Sequence, residues 1–249
     1  MALSAAMQIT DQDVRTTASA QGGELLGQVA QTSDGRTFAY GRNGTGGGTA
    51  LAPGKLTQGA LSTANYVNRT GVTYAAGTNQ VTFTLGTTAA TDLFKGSYFY
   101  VNAGTGAGQM CLIVGNTAAT AGNSNSVTLK LKDSLYAATA VADSKFSVQP
   151  SPYSSMKISD HTAATAIFAT GVPLVSVADT YYAWFQVGGP ASVLANGTPA
   201  VGGSVIPSAT TDGAVDVDGA ASVQPKVGYT LITAVSTEYR AVYLTVNPQ

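Results

Sequence analysis

Wherever this chain turns apolar, it does so in short runs that alternate with Thr or another small residue and stop at Gly, Asn, Asp or Pro. Val81-Thr82-Phe83-Thr84-Leu85 and Ser126-Val127-Thr128-Leu129-Lys130-Leu131 place every second side chain on one face, which is the period of a half-buried strand. Strands are also expected at 72–74, 98–101 and 145–148, and at 109–114, a near-continuous apolar run. Further strands are expected at 181–187, the most aromatic, and at 192–194, 198–201, 204–206, 214–217, 227–232 and 240–246. Only 89–95 and 133–142 leave room for a helical turn, and no helix-length segment links the strands as a βαβ crossover requires. The sequence therefore predicts an all-β protein of small barrels or sandwiches. Composition agrees. Charged residues make up 10% of the chain, against about 25% for an average soluble domain. Long surface helices need more Glu, Lys and Arg than that.

Three segments are expected. Residues 1–59 read as an extended N-terminal arm, because small and polar residues run there without a sustained period and Gly41-Arg42-Asn43-Gly44-Thr45-Gly46-Gly47-Gly48 is costly to order. Within it, 37–40 reads as a short strand after the Ser33-Asp34-Gly35 turn. A first β module spans 60–150. Pro150-Ser151-Pro152 marks the boundary to a second β module at 151–249, since neither proline suits a central strand. In that module Gly188-Gly189-Pro190 stops the aromatic strand, and Asn196-Gly197 is expected to turn a tight hairpin.

Little in the sequence carries chemistry. Net charge is −1, from 12 basic and 13 acidic residues without a basic run, so a nucleic acid is not expected as partner. His161 is the single histidine and Cys111 the single cysteine, which excludes a multi-His metal site and an intrachain disulfide. His161 reads as a solvated loop residue and Cys111 as a small core hydrophobe. Gly104-Thr105-Gly106-Ala107-Gly108-Gln109 has its glycines at the wrong offsets for a dinucleotide site. Before Pro53-Gly54-Lys55-Leu56, Thr49 stands where a phosphate loop has its first glycine, and Leu56 replaces the magnesium-holding hydroxyl. Asp212, Asp216 and Asp218 cluster near one strand but do not match a calcium loop. No catalytic residue, metal or cofactor is expected. The N-terminus has no signal-peptide pattern and no apolar run reaches a membrane-spanning length, so a product of the cytoplasm without a membrane partner is expected.

The densest aromatic stretch is Tyr181-Tyr182-Ala183-Trp184-Phe185. Tyr182 and Trp184 fall on one strand face, Tyr181 and Phe185 on the other. One face is expected to fill a core, and the other to meet a neighbouring subunit.

Three stretches resemble tailed-phage head decoration (cement) proteins. They are Ser33-Asp34-Gly35-Arg36-Thr37-Phe38-Ala39-Tyr40 with Thr49-Ala50-Leu51-Ala52-Pro53-Gly54-Lys55-Leu56, then Lys95-Gly96-Ser97-Tyr98-Phe99-Tyr100-Val101-Asn102 with Gly106-Ala107-Gly108-Gln109. The third is Tyr182 to Ala191 leading into Val205 to Val215. The resemblance implies a protein on the outer surface of an icosahedral head. It would bind the major capsid protein, associate with itself as a trimer, and stabilise the shell without catalysis. Arg36, Phe38, Tyr40 and Arg42 are the expected capsid contacts of the arm, and Tyr181, Trp184 and Phe185 the expected oligomer interface. A tail tube or fibre component and a carbohydrate-binding β-sandwich are the alternative readings. The second of these would show exposed aromatics.

Overall fold

The computed structural model describes residues 7–44, 49–60, 62–160, 168–219, 224–233 and 235–246. The protein is nearly all β. The chain opens with β1 (Met7–Gln8), a single 3-10 turn (Asp13–Arg15), β2 (Val29–Gln31), β3 (Thr37–Arg42) and β4 (Thr57–Gln58). It then forms a separate compact unit, Leu61–Ser151, before returning to the first unit at Pro152. That inserted unit holds β5 (Arg69–Thr70), β6 (Gln80–Thr84), β7 (Tyr98–Ala103), β8 (Met110–Asn116), β9 (Ser126–Leu131) and β10 (Lys145–Gln149). The return supplies β11 (Lys157–Ile158), β12 (Ala169–Pro173), β13 (Tyr182–Leu194), β14 (Ser204–Pro207), β15 (Val215–Val217), β16 (Gly228–Thr230) and β17 (Tyr239–Thr245).

The inserted unit is a six-stranded sheet in the order β5-β10-β7-β8-β9-β6, curled into a nearly closed barrel. Its two edges are stitched by side chain and turn: Arg69 Nε donates to the Thr84 carbonyl at 3.0 Å, and Gly86 N–H to the Asn65 carbonyl at 2.8 Å. The alternation seen in the sequence is what fills it. Val81 and Phe83 of β6 point inward with Val127, Leu129 and Leu131 of β9, while the Thr residues between them face out. Phe83, Phe99 and Phe146 meet at the centre with ring centroids 5.1–6.1 Å apart, at angles from tilted to edge-on, the arrangement aromatic rings prefer. Cys111 is buried in this core, and burial pushes its thiol pKa up.

The discontinuous unit, Met1–Ala60 with Pro152–Gln249, is built on one sheet in the order β1-β2-β3-β13-β17-β16-β14-β15. The long strand β13 is its spine. Its first half pairs with β3 and its second half with β17, both antiparallel. At the far edge a parallel bridge from Val215 to Ala195, with Asn196 N–H donating to the Val215 carbonyl at 2.7 Å, returns the sheet to the end of β13. The strands β13-β17-β16-β14-β15 thus wrap a small core of Val193, Val205, Val215, Val227, Val242 and Leu244.

Three expectations change here. Residues 1–59 do not form a free arm. β2 and β3 are an antiparallel pair inside the sheet, and β4 pairs with β11 and β12. The physical reason is that β13 is apolar on both faces and β3 presents Phe38 and Tyr40 to cover it. β13 also runs through Gly188-Gly189-Pro190 instead of stopping there. Proline is tolerated at 190 because β3 has left the ladder by Gly188, so the missing N–H falls on an unpaired side. Finally, Asn196-Gly197 turns no two-strand hairpin, as 198–201 is not a strand and β14 pairs with β15 and β16.

Candidate functional site

Four of the seven residues expected to contact a capsid or a neighbouring subunit, Phe38, Tyr40, Trp184 and Phe185, are placed in the chain's own core. Phe38 and Phe185 have no exposed surface, and Tyr40 and Trp184 are each 5% exposed. Trp184 packs edge-on against Tyr40, with centroids 5.2 Å apart, in a cluster with Ile9, Val14, Ala30 and Phe38. Phe185 lies on the opposite face of β13 with Ala39, Leu51, Met156, Val177 and Val187. Tyr181 is half-buried beside that second cluster. Trp184 and Phe185, on opposite faces of the strand, are therefore both covered from within.

Arg36 and Arg42 are also engaged locally. The Arg36 guanidinium pairs with Asp11 and Asp34, each at 2.7 Å, and lies over the Phe38 ring. The Thr32 hydroxyl and then Arg36 stabilise the Asp34 carboxylate, which lowers its pKa to about 2. Arg42 Nε donates to the Thr180 carbonyl at 3.2 Å, with the guanidinium over the Tyr182 ring.

The acidic cluster near β15 does not converge. Asp216 accepts from Asn196 Nδ2 at 2.7 Å, whereas Asp218 accepts from Ser204 Oγ at 2.9 Å and pairs with Lys226 at 3.1 Å. The Ser204 hydroxyl and then Lys226 hold the Asp218 pKa below its ordinary value. Among the described residues no three His, Cys, Asp or Glu side chains group to hold a metal ion. No helix among them is long and apolar enough to cross a membrane. His161 lies outside the described residues.

What the sheet leaves open is a tyrosine face. In β17, Arg240, Val242 and Leu244 point inward, so Tyr239, Ala241 and Tyr243 point out. Tyr229 of β16 stands directly opposite Tyr243, and Leu231 follows it across from Ala241. Tyr229, Tyr239 and Tyr243 are 47%, 50% and 48% exposed, and these outward positions carry no charge. The inserted unit has a smaller apolar stripe of its own, with Tyr98, Met110 and Val114 exposed on β7 and β8.

At one end of the tyrosine face a groove of about 310 Å³ opens beside Tyr239, lined by Pro53, Gly54, β12 residues Val172 and Pro173, Leu174, and β13 residues Gln186, Ala191 and Ser192. The Tyr239 ring lies so close over Gly54 that a Cβ at position 54 would sit 2.5 Å from Cε1. Gly54 also adopts φ +71°, a conformation that disfavours any side chain. Gln186 is 2% exposed and fixed in orientation. Its Nε2 donates to the carbonyls of Gly188 at 3.1 Å and Pro190 at 2.8 Å, and its Oε1 accepts no hydrogen bond among the described residues.

Sequence reading missed this face and groove. Alternation in 240–246 was legible, but which phase faced outward was not. Residues 53–54, 172–174, 186–192 and 239 meet only through the pairing of distant strands. No family model, curated protein or solved structure matches this chain.

Proposed function

We propose that this chain is a virion structural protein, a decoration (cement) protein that binds the outer surface of a tailed-phage head and acts without catalysis. Its partners in this reading are the major capsid protein and further copies of itself, as a trimer, after synthesis in the host cytoplasm. The observation that carries the reading is the uncharged tyrosine face formed by Tyr229, Leu231, Ala241 and Tyr243 on a chain with 10% charged residues. Tyrosine brings large contact area at low entropic cost, and an apolar patch held open on a rigid sheet suits protein contact. Many such contacts of modest strength become strong when copies are linked. The resemblance in the three sequence stretches supplies the head as the partner. It does not do so through Phe38, Tyr40, Trp184 or Phe185, which the chain buries in itself.

The test is co-sedimentation with empty phage heads. The intact chain is expected to pellet with heads and raise their melting temperature, and the Tyr229→Ser, Tyr243→Ser double variant to stay in the supernatant with its circular dichroism unchanged. A chain that ignores heads would overturn the reading. Binding unaffected by the double variant would remove this face from it.

A further inference from the structure

We infer that the groove beside Tyr239 is a binding site for a neutral saccharide ring. The inference is independent of head binding and rests on four features of the groove. None of the described residues that line the groove carries a charge, so a phosphate, carboxylate or ammonium ligand would be desolvated without an ionic partner there. The walls are mostly aliphatic and proline, and a half-exposed phenol ring stands at the mouth, braced against Gly54. Such a ring offers a platform to the C–H face of a flat, saturated ring.

The third feature is Gln186. Its amide nitrogen is committed to two backbone carbonyls, which leaves the oxygen as the open polar atom of a side chain that lines the groove. The oxygen accepts no hydrogen bond from the described residues and is not sealed off from solvent, so a ligand that brings an O–H or N–H can replace the water there. A wholly apolar ligand would leave the oxygen stranded, so the occupant needs both an apolar face and a hydroxyl. The exposed Ser192 hydroxyl adds a second polar position. The fourth feature is size: about 310 Å³ is at the lower limit of ligand sites, which suits one or two sugar rings. A pyranose meets all four conditions. Its C–H face would rest on Tyr239, and one hydroxyl would donate to Gln186 Oε1.

The experiment uses the full chain with glucose, galactose, mannose and N-acetylglucosamine, followed by saturation-transfer NMR and calorimetric titration. At least one sugar is expected to bind with Kd on the order of 1 mM. Saturation should be strongest on the protons of one ring face. Tyr239→Ala is expected to weaken binding at least about tenfold. Tyr239→Phe, which keeps the platform, should stay within about twofold. Tyr239 is half exposed, so both variants should fold, and a melting curve checks this. The inference is overturned if none of the sugars transfers saturation at about 20 mM, or if Tyr239→Ala binds like the parent. Capture of a neutral proline-containing peptide in the groove with no sugar bound would overturn it as well.

Discussion

Phe185 anchors the spine strand in the core. It has no exposed surface and sits on the spine strand, touching one core cluster while its neighbour Trp184 fills the other. Phe185→Ala would open a cavity that β3 and β17, both tied to β13 by ladders, cannot close. A loss of about 3–5 kcal/mol is expected by denaturant titration, a large share of the roughly 5–15 kcal/mol typical of a domain. Asp34 gives the turn before β3 a pH dependence. Its pKa is depressed in the folded chain from 3.8 to about 2 by Thr32 and Arg36, so the unfolded chain binds this proton more readily. The stabilisation is complete above about 3.8 and is lost as pH falls through about 2. An NMR titration of the Asp34 carboxyl should report that midpoint, and Asp34→Asn should remove it. At this scale the sequence was informative about which residues are apolar and how they alternate. It was silent on partners. That Phe185 would be buried by Ala39 and Leu51 depends on residues more than a hundred positions away.

Strands were legible where alternation was clean, as in β6 and β9, and where aromatic density was high, as in β13. Those that escaped notice are short or irregular. β2 has three residues, and β12 contains Gly171 at φ +119°, with a register shift between Ala169 and Gly171. β4 is two residues whose hydrogen bonds, more than any pattern, make it a strand. The misreading of 1–59 as an arm has the same origin. Each piece buries little alone, and only their convergence on β13 gives them a core. Removing residues 1–59 is therefore expected to unfold the discontinuous unit, because it uncovers Trp184 and Phe185 and strips β13 of one neighbour. Near-ultraviolet circular dichroism should lose the tryptophan signal. Retention of that signal in the truncated chain would show β3 to be dispensable.

For the whole molecule, the decisive feature is that one unit interrupts the other. The exit and re-entry points are tied together, with Ala60 N–H donating to the Pro152 carbonyl at 3.1 Å. The inserted unit closes its own ends, with Ser62 Oγ donating to the Val148 carbonyl at 3.1 Å and Val148 N–H to the Tyr66 carbonyl at 2.9 Å. Residues 61–151 expressed alone should thus fold, with a cooperative melt and dispersed amide signals. Joining residue 60 to 152 through a short glycine linker should leave the remaining unit folded. The proline-marked boundary at 150–152 was visible in the sequence. That the segments on either side of the insert belong to one core was not, since nothing local links Phe38 to Trp184.

The interruption also sets a timetable for the ribosome. β3 emerges early, yet its partner β13 is synthesised roughly 150 residues later, and translation at about 5–20 residues per second makes that a wait of roughly 7–30 s. Meanwhile the insert has all six of its strands and can complete its barrel. The nascent chain would then carry a finished domain while an apolar strand ahead of it remains unmatched, and that interval is when this protein most needs a chaperone.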